Sequence, residues 1–385
     1  MGTRRPLAHR GTLGSTARVT PQRVWDRRRS FVLGLVGLAT LAVIAVRVMP
    51  QIGSYSAAGT ALGRMTPAAV GVLAASVVTY LAMYGLPFMA AVPRLRFWQG
   101  QQVNQAAFTI GNGLPAGGAV GLGVQYGMLA GYGVDQAAGT AAVAAIAVWS
   151  TLVTLGVPVL GIGAMQLSGH GSRGYLVPSA LALVALLATV GGFALAMRRE
   201  SVAAGLARLG NRVAAPLARR FRKGRQLDLV PGFLAFRTDL VDLVRRRWVL
   251  ITAAQLGVIG AQFAVLYCSL RGVEGWAGAS TPGLVVFGAF AIAQLGLLIP
   301  LTPGGLGTVD AALITLLVSQ GVPAGQATAA DLVWRAASFV PQILVGATAL
   351  LAWSRLRPGR AEARPVDRGE HRPDHEVGSV AVVEA

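Results

Sequence analysis

Charge is scarce in this chain. Only 13% of its residues are Asp, Glu, Lys or Arg, against roughly 25% in soluble domains. With 54% of the 385 residues hydrophobic, a water-soluble globule of this composition could not hydrate its surface. A bilayer removes the difficulty, because lipid can face Leu, Val and Ala directly. Lysine is nearly missing: Lys223 stands alone, and the other basic residues are all arginine. Cysteine occurs once, as Cys268 in an apolar run. That excludes an intrachain disulfide and a thiolate metal site, and leaves Cys268 as a small buried hydrophobe. The four histidines are His9, His170, His371 and His375, and none shows metal-ligand spacing. There is no nucleophile–base set, no phosphate-binding glycine loop and no dinucleotide fingerprint; Gly161-Ile162-Gly163 lacks the third glycine. The sequence therefore predicts no catalytic residue, no metal and no cofactor: the chain is read as a non-enzyme.

The net charge of +19 would fit nucleic-acid binding. The arginines, however, lie between apolar runs, where membrane topology accounts for them, so no nucleic-acid partner is expected. A spanning helix needs about 20 mostly apolar residues. Uncharged stretches of that kind predict six full spans, at roughly 31–48, 68–92, 136–161, 175–197, 248–270 and 326–353. With a cytoplasmic N-terminus, the segments 1–30, 93–100, 198–247 and 354–385 hold 29 basic residues, and the external segments hold four: Arg47, Arg64, Arg173 and Arg271. Such an asymmetry orients a protein with its positive loops inside. Both termini are thus expected in the cytoplasm, and the protein in the cytoplasmic membrane.

That orientation forces two other uncharged stretches to enter the membrane and return. They form helical hairpins at about 97–134 and 281–320. The first doubles back near Gly111–Gly118 and the second near Pro300–Gly307, where Gly and Pro break helices. The arms are mostly shorter than a span, which favours re-entrant hairpins over full crossings. The two also resemble each other. Pro115 and Gly133-Val134 recur as Pro303 and Gly321-Val322, each offset by 188 residues. Hairpins that open from opposite faces at a fixed offset mark an inverted-topology repeat. The fold class is accordingly an all-α polytopic membrane protein, with about six full spans plus two Gly/Pro-broken hairpins. The domains are a basic tail 1–30, a transmembrane unit 31–353 and a polar, disordered tail 354–385. Within the cytoplasmic loop 198–247, Val202, Leu206, Leu209, Val213, Leu217 and Phe221 recur at helical spacing, as in an amphipathic helix lying on a leaflet.

Irregular backbone at membrane depth is tolerated only where protein buries it or where it lines an aqueous cavity. The candidate substrate-binding residues are therefore those of the two turns: Pro115, Gly117 and Gly118 in the first, and Thr302, Pro303, Gly304 and Gly305 in the second. The helix N-termini that follow would present N–H groups to a phosphate. Ionisable residues inside apolar helices add Asp310, Asp331 and Arg335, the last two four residues apart and so on one face. Asn104, Gln105, Asn112 and Gln125 are further polar candidates. Tight helix packing and a purely structural ion pair are the competing readings.

The run Leu298-Ile299-Pro300-Leu301-Thr302-Pro303-Gly304-Gly305-Leu306-Gly307-Thr308-Val309-Asp310-Ala311-Ala312, joined to Gly321-Val322 and Trp334-Arg335, resembles the lysylphosphatidylglycerol synthase transmembrane family. The likeness extends over roughly 30–355 and is most specific at 298–335. The family usually has Glu at the position of Asp310, and an Arg after an aromatic at that of Arg335. Its first-repeat motif often carries Arg and Glu near a Pro-Gly, and Leu114–Gly121 here lacks both charges. The resemblance implies a flippase-like, stand-alone membrane unit without the aminoacyl-transferase domain. The expected function is translocation of an anionic phospholipid or lipid-linked glycan across the membrane. The alternative is a non-catalytic scaffold for a glycosyltransferase or lipid-modifying enzyme, which would then be a partner.

Overall fold

The computed structural model describes residues 60–113, 117–169, 176–202, 230–276, 281–298 and 303–355, with 204, 205, 208 and 278 besides. It is built from helices, and no strand occurs among the described residues. In chain order these are α1 (Pro67–Tyr84), α2 (Leu86–Ala91), α3 (Phe97–Gly113), α4 (Gly117–Gly131), α5 (Gln136–Leu167), α6 (Leu176–Arg198), α7 (Val230–Glu274), α8 (Gly283–Ala293), α9 (Thr308–Ser319) and α10 (Ala324–Arg355). Short 3₁₀ turns cover Gln294–Leu298 and Pro303–Gly305. The spans expected at 68–92, 136–161, 248–270 and 326–353 correspond to Pro67–Ala91, Gln136–Leu167, Phe236–Glu274 and Ala324–Ser354, each long and apolar enough to cross a bilayer. The one expected at 175–197 is α6. The one expected at 31–48 lies outside the described residues, as does most of the amphipathic stripe of 198–247. From Val230 onward that segment is not a loop; it extends α7 to 45 residues.

Large apolar side chains remain exposed around the bundle. Val177, Leu181, Val184 and Leu187 of α6 are each at least 60% exposed. In water such a face would drive aggregation; against lipid it loses nothing. With the four long spans, this makes the chain a multi-pass membrane protein.

α7 serves as a ruler for the two hairpins. Near one end, Arg247 Nη1 donates to the Ala90 carbonyl at the entry to α3–α4. Near the other, Arg271 donates to the Thr281 carbonyl at the entry to α8–α9. These points are roughly 36 Å apart at 1.5 Å per residue, so the hairpins enter from opposite ends of the bundle. Glu274 completes the second entry: it accepts from Arg271 at 2.7 Å and from the Thr281 hydroxyl at 2.8 Å.

The 188-residue repeat is visible bond by bond. After α4, Gly133 N–H donates to Ala130 and Val134 N–H to Leu129, at 3.0 Å each. After α9, Gly321 N–H donates to Val318 at 3.0 Å and Val322 N–H to Leu317 at 3.1 Å. Both are Schellman caps with a left-handed glycine, at φ 77° for Gly133 and 93° for Gly321. The next helices, α5 and α10, are each 32 residues long and start 188 positions apart. Packing is reciprocal: α3 lies along α10, and α8 lies along α5. Small residues allow both approaches. A Cβ placed on Gly161 would stand 2.4 Å from Ala291 Cβ, and one on Gly346 would stand 2.0 Å from Thr109 Oγ1 and 2.2 Å from the Gln105 carbonyl oxygen.

Gly346→Ala should therefore destabilise the bundle by roughly 1–3 kcal/mol through overpacking, read as a lower melting temperature in detergent. Gly123→Ala, where nothing lies within 4 Å, should be neutral or stabilising, since Ala is the better helix former. Equal melting of the two variants would contradict the close packing of α3 on α10.

Candidate functional site

The tips of the two hairpins meet in the interior. α3 ends at Asn112-Gly113, and Asn112 Oδ1 would lie 3.1 Å from a Cβ on Gly304. Phe339 Cζ would lie 2.7 Å from the same Cβ. Gly304, Gly305 and Gly307 all have left-handed φ, at 63°, 67° and 88°. Side chains at 304 and 305 are excluded both by this conformation and by their neighbours. The second turn thus threads bare backbone into a protein-lined space, as backbone at membrane depth requires.

Arg335 of α10 is the centre of this turn. It is 3% exposed. Its Nε donates to Asp310 Oδ1; Nη1 reaches the Gly304 carbonyl at 3.3 Å and Nη2 the Gly305 carbonyl at 3.5 Å. The guanidinium also stacks by Trp334 and Phe339, with ring centroids 4.7 and 5.4 Å away. Asp310 does two jobs, because its Oδ2 accepts from the Gly307 N–H at 2.6 Å and caps the start of α9. The positive helix end read from the sequence as a phosphate cradle is therefore occupied by the chain's own carboxylate. Asp331, one turn before Arg335 on α10, is 5% exposed, within electrostatic reach of Asp310 and Arg335, and has an Oδ1 that no donor of the protein reaches.

Beside Arg335 a cavity of about 270 Å³ opens between the two hydrophobic halves of the bundle. Arg335, Gly304 and Phe339 form one wall. Tyr80, Tyr84 and Asn104 form another, and Ser150, Thr154, Gln255, Gln262 and Gln294 bring polar groups from α5, α7 and the turn after α8. The arrangement is a guanidinium facing a ring of hydroxyls and amides, with apolar Val153, Val157, Val258, Ile259 and Leu297 around them. Its guanidinium, hydroxyls and amides can take the oxygens of a polar head group.

Of the residues singled out in the sequence, the structure assembles Gly304, Gly305, Asp310, Asp331 and Arg335 into one cluster. Pro115 and Thr302 lie outside the described residues, as does the side chain of Pro303. Gly117 and Gly118 serve the first hairpin instead. A Cβ on Gly117 would stand 2.2 Å from the Ile110 carbonyl oxygen, and Gly118 faces open space. The first hairpin reaches the cavity through Asn104 and Phe108. Sequence reading missed Tyr80, Tyr84, Ser150, Thr154, Gln255, Gln262 and Gln294. Three pairs among these carried a signal: 80/84 and 150/154 are one turn apart, and 255/262 two turns apart, so each pair puts polar groups on one face of an apolar helix.

A bundle of apolar helices with two opposed hairpins around a buried arginine defines a multi-pass, all-α membrane protein by architecture. The chain belongs to the family described as lysylphosphatidylglycerol synthase TM region, whose profile matches residues 88–346. The match spans both hairpins and the Arg335 cluster, and it makes this a membrane protein related to lipid synthesis and translocation. No curated protein and no solved structure matches the chain significantly.

Removing one partner of a buried ion pair strands the other charge and costs about 3–5 kcal/mol, whereas apolar replacement of both is often near neutral. Arg335→Met should therefore lower stability by about that much. The double variant Arg335→Met with Asp310→Leu should recover part of it, the remainder reflecting the lost α9 cap. Additive losses in a double-mutant cycle would show that the two side chains do not interact.

Proposed function

We propose that the protein moves a phospholipid or lipid-linked glycan across the cytoplasmic membrane, with the head group passing through the Arg335 cavity. The observation that carries this reading is a polar, arginine-bearing cavity at the meeting point of two hairpin tips, inside a bundle with large apolar side chains exposed on its outer surface. The lipid phosphate would pair with Arg335, exchanging for its bonds to the Gly304 and Gly305 carbonyls. Asp310 would stay on the guanidinium and hold its orientation, and the amides and hydroxyls around the cavity would take the head-group oxygens. In this reading the hairpins are re-entrant, the two halves form an inverted repeat across the membrane, and both termini are cytoplasmic. The family relationship and the arginine-rich segments at one side support it. The energy source is either the lipid gradient itself or a coupled ion.

The test is translocation of fluorescent lipids in proteoliposomes, read by dithionite quenching, across a panel of anionic, zwitterionic and glycan-linked lipids. Arg335→Lys keeps the charge and loses the planar fork; it should fold and slow translocation at least tenfold. Asn substituted at Asp310 should slow it as well. Undiminished transport in both variants removes the site assignment. A well-folded wild type that moves none of the lipids favours the scaffold role.

A further inference from the structure

A second polar feature starts at the Arg335 centre beside the cavity and runs along α10 into the seam where α3 packs on it. Asp331, Trp334, Ser338 and Gln342 follow one another up α10 at steps of three or four residues. The seam continues on α3 with Gln105, beside Gly346, and then Gln101, one turn further along. Every one of these side chains is at least nine-tenths buried. Each has a polar atom with no hydrogen-bond partner in the protein: Asp331 Oδ1, Trp334 Nε1, Ser338 Oγ, Gln342 Nε2, both amide atoms of Gln105, and Gln101 Oε1. Helix–helix glue would leave such atoms bonded to one another. Here Gln342 bonds Tyr80 through its carbonyl end, at 3.2 Å, and leaves its amide free; Gln101 bonds the Leu81 and Ala82 carbonyls and leaves its oxygen free. Orphan donors and acceptors alternate along the line, which is the pattern that single-file water completes, each molecule taking two to four bonds.

The seam is long enough to matter. From Asp331 to the level of Ala349, beside Gln101, α10 rises roughly 27 Å at 1.5 Å per residue, close to the hydrocarbon thickness of about 30 Å. At the Gln101 end an open groove of about 480 Å³ lies between α1, α3 and α10, with the exposed Trp98 at its rim. At the other end stand Asp331, Asp310 and Arg335. Two carboxylates and one guanidinium are one positive charge short of neutral, in a place where net charge is costly. Asp310 already accepts from Arg335 and from the Gly307 N–H. Asp331, with an oxygen no donor reaches, is the carboxylate left to take a proton. The other titratable groups facing this centre are Tyr80 and Tyr84 of α1; α3, α8 and the 248–270 stretch of α7 hold no charged residue.

We infer that the α3–α10 seam is a proton path, in which water and the side chains from Gln101 to Ser338 relay a proton between the groove and the carboxylate of Asp331. The step is a proton transfer alone: Asp331 carboxylate gains the proton to become the neutral acid and releases it again toward the cavity. The inference rests on the membrane placement of the bundle and not on which lipid it carries.

The full-length protein in vesicles of phosphatidylethanolamine and phosphatidylglycerol, loaded with pyranine and clamped with valinomycin and potassium, tests it by an external acid jump. Wild-type vesicles should acidify at least tenfold faster than protein-free ones. Asp331→Asn and Gln105→Leu should fall to the protein-free rate. If Gln105→Leu fails to elute as a folded species, the near-isosteric Gln342→Met and Ser338→Ala take its place. Infrared difference spectra between acid and alkaline conditions should show a carboxylic-acid band that Asp331→Asn removes. A wild-type rate equal to that of protein-free vesicles, or an unchanged rate in folded seam variants, overturns the proton path. Lipid translocation with silent pyranine would sink this inference alone, and proton flux without translocation would sink the lipid reading alone.

Discussion

The bond from Arg335 to Asp310 holds the centre of this structure. A guanidinium inside a membrane bundle is costly unless its donors are met, and here one side chain satisfies three demands together. It neutralises Asp310, it takes up the carbonyls of Gly304 and Gly305, and through Asp310 it fixes the capped start of α9. The left-handed glycines free these carbonyls from helical bonding, so the unwound turn and the arginine depend on each other. Without the arginine the Gly304 carbonyl would lose its donor, and Gly305 would keep only the Thr308 hydroxyl, at 3.1 Å. Without the turn the arginine would have too few acceptors.

That mutual dependence explains why the cavity lies where it does. The turn cannot sit against lipid, so it must face protein, and the facing protein is the tip of the other hairpin at Asn112 and Phe108. Two tips cannot pack as tightly as two helices, and the space between them is lined by whatever the flanking long helices present. Here they present tyrosines, glutamines and hydroxyls. The polar interior is thus a consequence of breaking two helices at one depth, and the side chains around it tune what enters.

Much of this was legible in the chain. Arginine placement and uncharged run length gave the four long spans, because a bilayer imposes one length on every crossing. The 188-residue spacing of Gly133 and Gly321 marked the repeat, because both positions need a left-handed φ that glycine supplies cheaply. Asp310, Asp331 and Arg335 stood out because charge in an apolar helix is rare. What stayed hidden depended on partners far along the chain. Asp310 as the cap of its own helix was hidden because a bare glycine, Gly307, precedes the helix in place of a capping side chain. Gly117 looked like its counterpart at 305, yet it closes its own hairpin, where a Cβ would stand against the Ile110 carbonyl oxygen. The continuation of α7 through 230–247 was hidden because its arginines read as a loop when only hydropathy is counted.

The crosswise packing of the repeat bears on how the protein is made. The first hairpin lies along α10, and the second along α5. A ribosome therefore completes α3 and α4 more than 200 residues before the glycine at 346 emerges to receive them. Until then the early hairpin has no permanent neighbour on that side, although Gln101 can already settle on the Leu81 and Ala82 carbonyls of α1. Assembly of this seam must wait for the last helix, so truncation before α10 leaves the face of α3 that Gly346 covers without its partner.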